Sequence, residues 1–202
     1  MGDAPGHYFD AHPDAGSRPS TVQLHLPDRS LTLQTDRGVF SGGRVDAGTK
    51  YLLLEAPEPP VAGTFVDLGC GYGPIACTLA ARRPQAAIWA VDVNARAVEL
   101  CAANAAHLGL TNVRAVTTDS VPADLDVDLL WSNPPIRIGK TALHDLLGTW
   151  LRRLSPTGVA VLVVQKHLGS DSLQRWLDAE GWATVRLGSR AGYRLLEVRP
   201  HP

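Results

Sequence analysis

Along the chain, the apolar positions change period several times, and those changes predict the elements. At 21–26 and 30–35, apolar and polar residues alternate around Pro27-Asp28-Arg29, the pattern of a short hairpin. Residues 49–56 carry helical spacing, stopped by Pro57, Pro59 and Pro60, which lack an N–H and clash with a preceding turn. From residue 64 onward, short β-branched or continuously apolar runs (64–68, 87–91, 113–117, 127–132, 159–165) alternate with helical spacing at 74–83, 95–108, 140–154 and 168–180. Two last runs, 183–187 and 193–198, predict a closing antiparallel pair. Residues 1–20, with several Gly, Pro, Asp and His and no periodicity, are expected to form an irregular arm.

Strands that are apolar on both faces and separated by helices predict an α/β fold, a mostly parallel sheet with helices on both faces. Ligands in such sheets bind beyond the carboxyl ends of the strands, where the winding reverses.

Composition narrows the classes only modestly. With 202 residues there is room for one α/β domain and a short extension, and 45% hydrophobic with 19% charged residues is ordinary for a soluble protein. The net charge of −1 gives no global attraction to nucleic acid, so any polyanion-binding surface must be local. No apolar stretch approaches the length of a membrane span. The first residues lack the basic-then-apolar order of a secretory signal, and Gly6 stands where myristoylation needs Ser or Thr. Cys70, Cys77 and Cys101 are odd in number and without ligand spacing, which reads as reduced thiols in a cytoplasmic protein. The histidines show no ligand spacing either, and no metal is expected.

Chemistry enters after the first apolar strand, at Asp67-Leu68-Gly69-Cys70-Gly71-Tyr72-Gly73-Pro74. Alternate glycines let the backbone turn sharply and approach a ligand, and Pro74 suits the first turn of a helix. Asp92, 25 positions after Asp67, closes the next strand, where a carboxylate can accept from a ribose diol. Together these residues predict a nucleoside-containing cofactor. The glycine spacing differs from the G-x-G-x-x-G of dehydrogenases and resembles the D-x-G-x-G-x-G signature of class I methyltransferases. That resemblance implies S-adenosylmethionine held around Asp67, Gly69, Cys70, Gly71 and Gly73. It puts Asp92 and Val93 at the ribose, and Asp119 and Ser120 near the adenine.

After the fourth strand comes Asn133-Pro134-Pro135-Ile136. As structure alone it is a stiff turn; its place at the carboxyl edge suggests more. An exocyclic amine on a base is a poor nucleophile because its lone pair is delocalised into the ring. The Asn133 side-chain oxygen and the Pro134 carbonyl can each accept one N–H, aiming the nitrogen and favouring the positive charge that develops on it. The tetrapeptide resembles the [N/D]-P-P-[aromatic] motif of amino-methyltransferases, with Ile136 in place of the aromatic residue. Asn133 is expected to reach the cofactor as well.

Extended to Asn133-Pro134-Pro135-Ile136-Arg137-Ile138-Gly139-Lys140, the motif resembles that of the "methyltransferase small" family, which includes the RsmC-like small-subunit ribosomal RNA guanine-N2 enzymes. Asp36-Arg37-Gly38-Val39-Phe40-Ser41, Arg44-Val45-Asp46-Ala47-Gly48-Thr49 and Val163-Val164-Gln165-Lys166-His167-Leu168-Gly169 match the same family in order, so the resemblance spans about residues 8–199. It implies a Rossmann-like methyltransferase domain with a seven-stranded sheet over 61–202. Residues 1–60 would supply an arm, a hairpin and a segment folded over the cofactor through Phe40, Asp46 and Thr49. The acceptor implied is guanine N2 in ribosomal RNA, free or in a small-subunit particle. Arg137, Lys140, Lys166, His167, Arg190 and Arg194 are candidates for a local phosphate-binding patch. Some members carry an additional N-terminal domain, for which this chain has no room. A tRNA base, a protein amide, a small amine, or a catalytically silent cofactor- or RNA-binding module remain the alternatives.

Overall fold

The structure is a computed structural model that describes residues 19–36 and 44–201. The irregular arm expected at the start of the chain falls almost wholly outside the described residues. Strands β1 (Ser20–His25) and β2 (Ser30–Thr35) pair antiparallel as a separate two-stranded sheet, with Val22, Leu24, Leu31 and Leu33 turned inward. Helix α1 (Ala47–Glu55) starts two residues before the expected boundary because the Asp46 carboxylate caps it, accepting from the N–H groups of Gly48 and Thr49.

The main sheet contains β3 (Ala62–Leu68), β4 (Gln85–Asp92), β5 (Val113–Thr117), β6 (Val127–Ser132), β7 (Leu154–Gln165), β8 (Ala183–Arg190) and β9 (Tyr193–Arg199), in the order β5-β4-β3-β6-β7-β9-β8. β3 to β7 run parallel, and β9 lies antiparallel to both β7 and β8. Helices α2 (Pro74–Arg82) and α3 (Ala95–His107) join α1 and the hairpin on one face, over Phe65, Ile88, Leu129 and Val161. Helices α4 (Lys140–Leu151) and α5 (Ser170–Ala179) cover the other face, over Val66, Leu130, Leu162 and Leu196. Consecutive strand residues therefore feed opposite cores, which is why the runs read as continuously apolar. Among the described residues, no helix is long and apolar enough to cross a membrane.

Three further expected boundaries move. The helix expected to reach residue 154 ends at Leu151, and β7 begins at Leu154 rather than 159. There the Arg153 carbonyl accepts the Val127 N–H at 2.8 Å, and a Cβ on Gly158 would stand 2.6 Å from the Val127 carbonyl oxygen. The chain is drawn against β6 with a register shift between Val127 and Leu129, a tertiary contact that local periodicity does not carry. The helix expected from residue 168 begins at Ser170, because Gly169 at φ 102° separates it from a 3₁₀ turn at Lys166–Leu168.

Two buried polar side chains tie the glycine loop to its surroundings. Asn104 on α3 accepts the Gln34 N–H at 2.7 Å and donates to the carbonyls of Gln34 and Tyr72 at 2.8 Å each, docking hairpin and loop onto one helix. Asp67 is wholly buried at the end of β3 and accepts the Ala76 N–H at 2.9 Å, which fastens α2 to the strand. Its second oxygen has no partner, and burial pushes its pKa up to about 8 from an ordinary 3.8. A carboxyl whose folded pKa lies above its unfolded one binds a proton that the unfolded chain has released. Its contribution to stability is complete below about pH 4 and is lost as pH rises through 8. Asp67→Asn keeps the bond to Ala76 and removes this dependence. Chemical denaturation from pH 5 to pH 9 should show the variant gaining on the parent as pH rises. Parallel pH profiles for the two proteins would rule this out.

Candidate active site

The winding reverses between β3 and β6, which pair from Phe65 opposite Leu129 to Leu68 opposite Ser132. The Ser132 hydroxyl donates to the Leu68 carbonyl at 2.6 Å, joining the two strand ends. Past them opens a cavity of about 330 Å³, within the size range of small-molecule sites.

One wall is the glycine loop. The Gly69 and Cys70 N–H groups both donate to the Val91 carbonyl, at 2.8 and 3.0 Å, so the loop curls toward the end of β4. Gly69 sits at φ 75°, and a Cβ there would meet nothing nearer than Pro135 Cδ at 4.0 Å: the backbone borders open space. Gly73 answers a different constraint, since a Cβ would stand 2.6 Å from Cys101 Sγ on α3. Of the loop residues expected to touch a cofactor, Gly69, Cys70 and Gly71 line the cavity, whereas Asp67 and Gly73 shape the loop from behind. The Cys101 thiol and burial push the Cys70 thiol well above its usual range, so Cys70 is a neutral wall rather than a nucleophile.

Asp92 lines the cavity beside this loop. One carboxylate oxygen accepts the Gly71 N–H at 2.9 Å and the other accepts the Asn94 N–H at 3.0 Å. Burial raises its pKa against these bonds. A carboxylate offers about four acceptor positions, so these backbone bonds leave acceptor capacity for a ribose hydroxyl. Val93, about half exposed, adds an apolar surface next to it. This combination of bare backbone, diol acceptor and apolar side fits the nucleoside end of a cofactor. Asp119 and Ser120 do not border this cavity. They lie exposed on the 3₁₀ turn Thr118–Ser120, and Thr118 lines the cavity in their place.

The opposite wall is Asn133-Pro134-Pro135-Ile136, leading into a 3₁₀ turn at Ile136–Ile138. The Asn133 amide nitrogen donates to Asp46 at 2.8 Å and to the Thr49 hydroxyl at 3.1 Å. Asp46 and Thr49, expected to cover the cofactor, do line the cavity, and both are engaged with Asn133. Phe40 falls outside the described residues. The Pro134 carbonyl already accepts the Ile136 N–H at 2.8 Å, leaving one lone pair.

Further side chains complete the lining. Tyr193 on β9 stands opposite Gln165 on β7, and both line the cavity with Leu168, Leu146 and Tyr72. No motif marks Tyr193, which reaches the site only through strand pairing 60 positions after Asn133. Tyr72 is buried with an unpartnered hydroxyl, and burial holds its pKa far above the usual value.

The candidate cations divide. Arg137 is exposed at the cavity rim, and Lys140, Lys166 and His167 are exposed on the turns beside it. Arg190 is paired with Glu55 at 3.1 Å. Arg194 is paired with Asp171, with its side chain only 13% exposed. Strand pairing has brought these two to acidic neighbours, and the Arg190 side chain stays 68% exposed. Among the described residues, no group of three or more His, Cys, Asp or Glu could hold a metal ion.

Comparison with known proteins follows this geometry. The family model of the methyltransferase small domain matches residues 30–196. YbxB of Bacillus subtilis (strain 168), an uncharacterized protein, is 37% identical over 196 residues, covering 96% of this chain and 98% of its own. The ribosomal RNA small subunit methyltransferase C of Shewanella sediminis is 32% identical over 162 residues, which is 75% of this chain and 45% of that one. The ribosomal RNA large subunit methyltransferase G of Shewanella amazonensis is 29% identical over 170 residues, 79% of this chain and 43% of that one. The chain thus spans somewhat under half the length of these two named relatives. Among solved structures, the T. Thermophilus 16S rRNA N2 methyltransferase RsmC, in complex with AdoMet and guanosine, superposes with a TM-score of 0.76. Sequence identity is 22%, over 94% of this chain and 52% of that one. With most of its length matched by the family model, the chain belongs to the methyltransferase small domain family, and its superposition on such neighbours gives it the class I S-adenosylmethionine-dependent methyltransferase fold.

Proposed function

We propose that this protein is an S-adenosylmethionine-dependent N-methyltransferase acting on an exocyclic amine of an RNA base, guanine N2 of ribosomal RNA being the acceptor best supported. The observation that carries the reading is the meeting of two walls in one cavity. The glycine loop and Asp92 stand on one side, and Asn133-Pro134-Pro135 on the other. Two named relatives are ribosomal RNA methyltransferases, and the structural neighbour holds AdoMet together with guanosine. In this reading residues 61–202 form the catalytic domain, and residues 1–60 supply the hairpin and the segment that reaches Asn133. The three free, buried thiols accord with a cytoplasmic setting.

Mechanistically, Asp92 and the loop backbone would hold the nucleoside end of the cofactor. S-adenosylmethionine supplies a methyl group on a cationic sulfur that departs as a neutral thioether. Asn133 Oδ1 and the remaining lone pair of the Pro134 carbonyl accept the two N–H groups of the acceptor amine and aim its lone pair at the methyl carbon. Positive charge developing on nitrogen is favoured by these two oxygens, and one proton then passes to water at the open mouth. A paired base must leave its stack to reach this depth, which favours unpaired or flipped nucleotides.

Asp92→Ala should weaken S-adenosylmethionine binding about tenfold to a hundredfold, the scale of losing charged hydrogen bonds. Calorimetry reads this directly, and unchanged affinity in the folded variant places the cofactor elsewhere. Asn133→Ala should leave that affinity intact and lower turnover by about two to three orders of magnitude. A fully active variant removes the amine-positioning mechanism. If Arg137, Lys140 and Lys166 each meet a phosphate, log affinity for RNA should fall with log salt at a slope of about −2, from roughly −0.7 per contact on single strands. Lys166→Glu should flatten that slope and spare cofactor binding. Methylation of a small amine or peptide, indifferent to salt and to this variant, excludes RNA as the acceptor. Nucleoside mass spectrometry of the methylated RNA then identifies the base.

A further inference from the structure

The cap of α1 and the catalytic asparagine share one carboxylate oxygen. Asp46 Oδ1 accepts the Gly48 N–H at 2.8 Å and the Thr49 N–H at 3.1 Å, and also the Asn133 amide at 2.8 Å. The Thr49 hydroxyl is the second acceptor of that amide, at 3.1 Å. A carboxylate can only accept, so the nitrogen end of Asn133 must be the end that faces α1. Both amide hydrogens are then used, and Oδ1 is turned away from the helix. Rotating the amide would set its oxygen against the Asp46 carboxylate and present an NH₂ group to the acceptor amine, donor against donor. The position of α1 is itself constrained. A Cβ on Gly48 would stand 2.6 Å from Tyr193 Cε1, so the helix start is wedged between β9 and Asn133.

We propose that Asp46, seconded by Thr49, is a positioning residue for amine methylation: it locks the Asn133 amide in the one orientation that offers an oxygen to the acceptor. The negative charge of Asp46 also polarises the amide through its N–H, strengthening Oδ1 as an acceptor while positive charge grows on the substrate nitrogen. Asp46 acts through Asn133 and not on the cofactor, although both it and Thr49 border the same cavity. The inference rests on the amine-methylation reading above.

The test uses substitutions that preserve the helix cap. Asp46→Ser still caps α1 but is too short to hold Asn133, and Asp46→Asn keeps an oxygen while removing the charge. The full-length proteins are assayed on ribosomal RNA and small-subunit particles from cells lacking the enzyme, with tritiated S-adenosylmethionine. Asp46→Ser should lower kcat about tenfold to a hundredfold, with cofactor affinity by calorimetry within threefold of the parent. Asp46→Asn should recover part of the loss. Thr49→Val should lose less than Asp46→Ser, and Thr49→Ser should restore the parent rate. Adding Asp46→Ser to Asn133→Ala should cost nothing further, because the clamp has nothing left to hold. Additive losses, an unchanged kcat, or a defect that saturating cofactor repairs would each overturn the proposal. The last of these would make Asp46 a cofactor ligand. The underlying reading fails separately, if Asn133→Ala itself stays active or the parent methylates no RNA. Independently of any acceptor, the Asn133 side-chain N–H signals, assigned by their loss in Asn133→Ala, should shift and exchange faster in Asp46→Ser. Signals that do not move would mean that the clamp is absent in solution.

Discussion

The parallel seam between β3 and β6 is the constraint on which the site depends. Strands β3, β4 and β5 wind outward in one direction, and the next strand, β6, returns to the other side of β3. The chain leaving β3 enters α2 on one face of the sheet, and the chain leaving β6 runs toward α4 on the other. The two connections must diverge, and a crevice opens where they part. The Ser132–Leu68 hydrogen bond holds the strand ends together beneath it, so the floor of the crevice is rigid while its walls are loops.

Those loops are held by directional polar bonds in addition to apolar packing of residues such as Cys70 and Tyr72. Asp67 fastens α2, Asp92 fastens Gly71 and Asn94, Asn104 fastens the hairpin and Tyr72, and Asp46 fastens α1 and Asn133. Removing carboxylates from water is unfavourable, and burial raises the pKa of both Asp67 and Asp92. Directional bonds offset part of that penalty and fix the backbone where a ligand must approach it closely. A purely apolar core could not define a loop conformation this narrowly, because hydrophobic contact has no direction.

The surface charge shows the same economy. A net charge of −1 leaves no long-range field favouring RNA, and several arginines are neutralised in place by Glu55, Asp171 and other acids. Among the described residues, three exposed cations for which no ion pair is seen, Arg137, Lys140 and Lys166, follow β6 and β7, beside the mouth of the cavity. Local placement substitutes for global charge, and a rim of a few cations suits the RNA base proposed as acceptor.

The alternation of apolar runs and helical spacing determined the α/β class, the helices and the parallel sheet, because each face must be covered and the period of 2 or 3.6 records how. The motif at Gly69–Gly71, with Asp92, was equally legible: positive φ and close backbone approach are demands on single residues. What the sequence did not determine was which distant side chains meet. Asp46 and Thr49 read as a cofactor cover, yet they grip an asparagine 84 to 87 positions away. Tyr193 and Gln165 arrive through the β7–β9 register, and Arg194 is taken up by Asp171 on α5. At the end of β5 it is Thr118, which no motif marks, that borders the cavity, while Asp119 and Ser120 follow it on the same exposed turn. Local spacing specifies elements and backbone demands; long-range pairing and turn geometry decide the direction in which a side chain finally points, and only the folded chain supplies those.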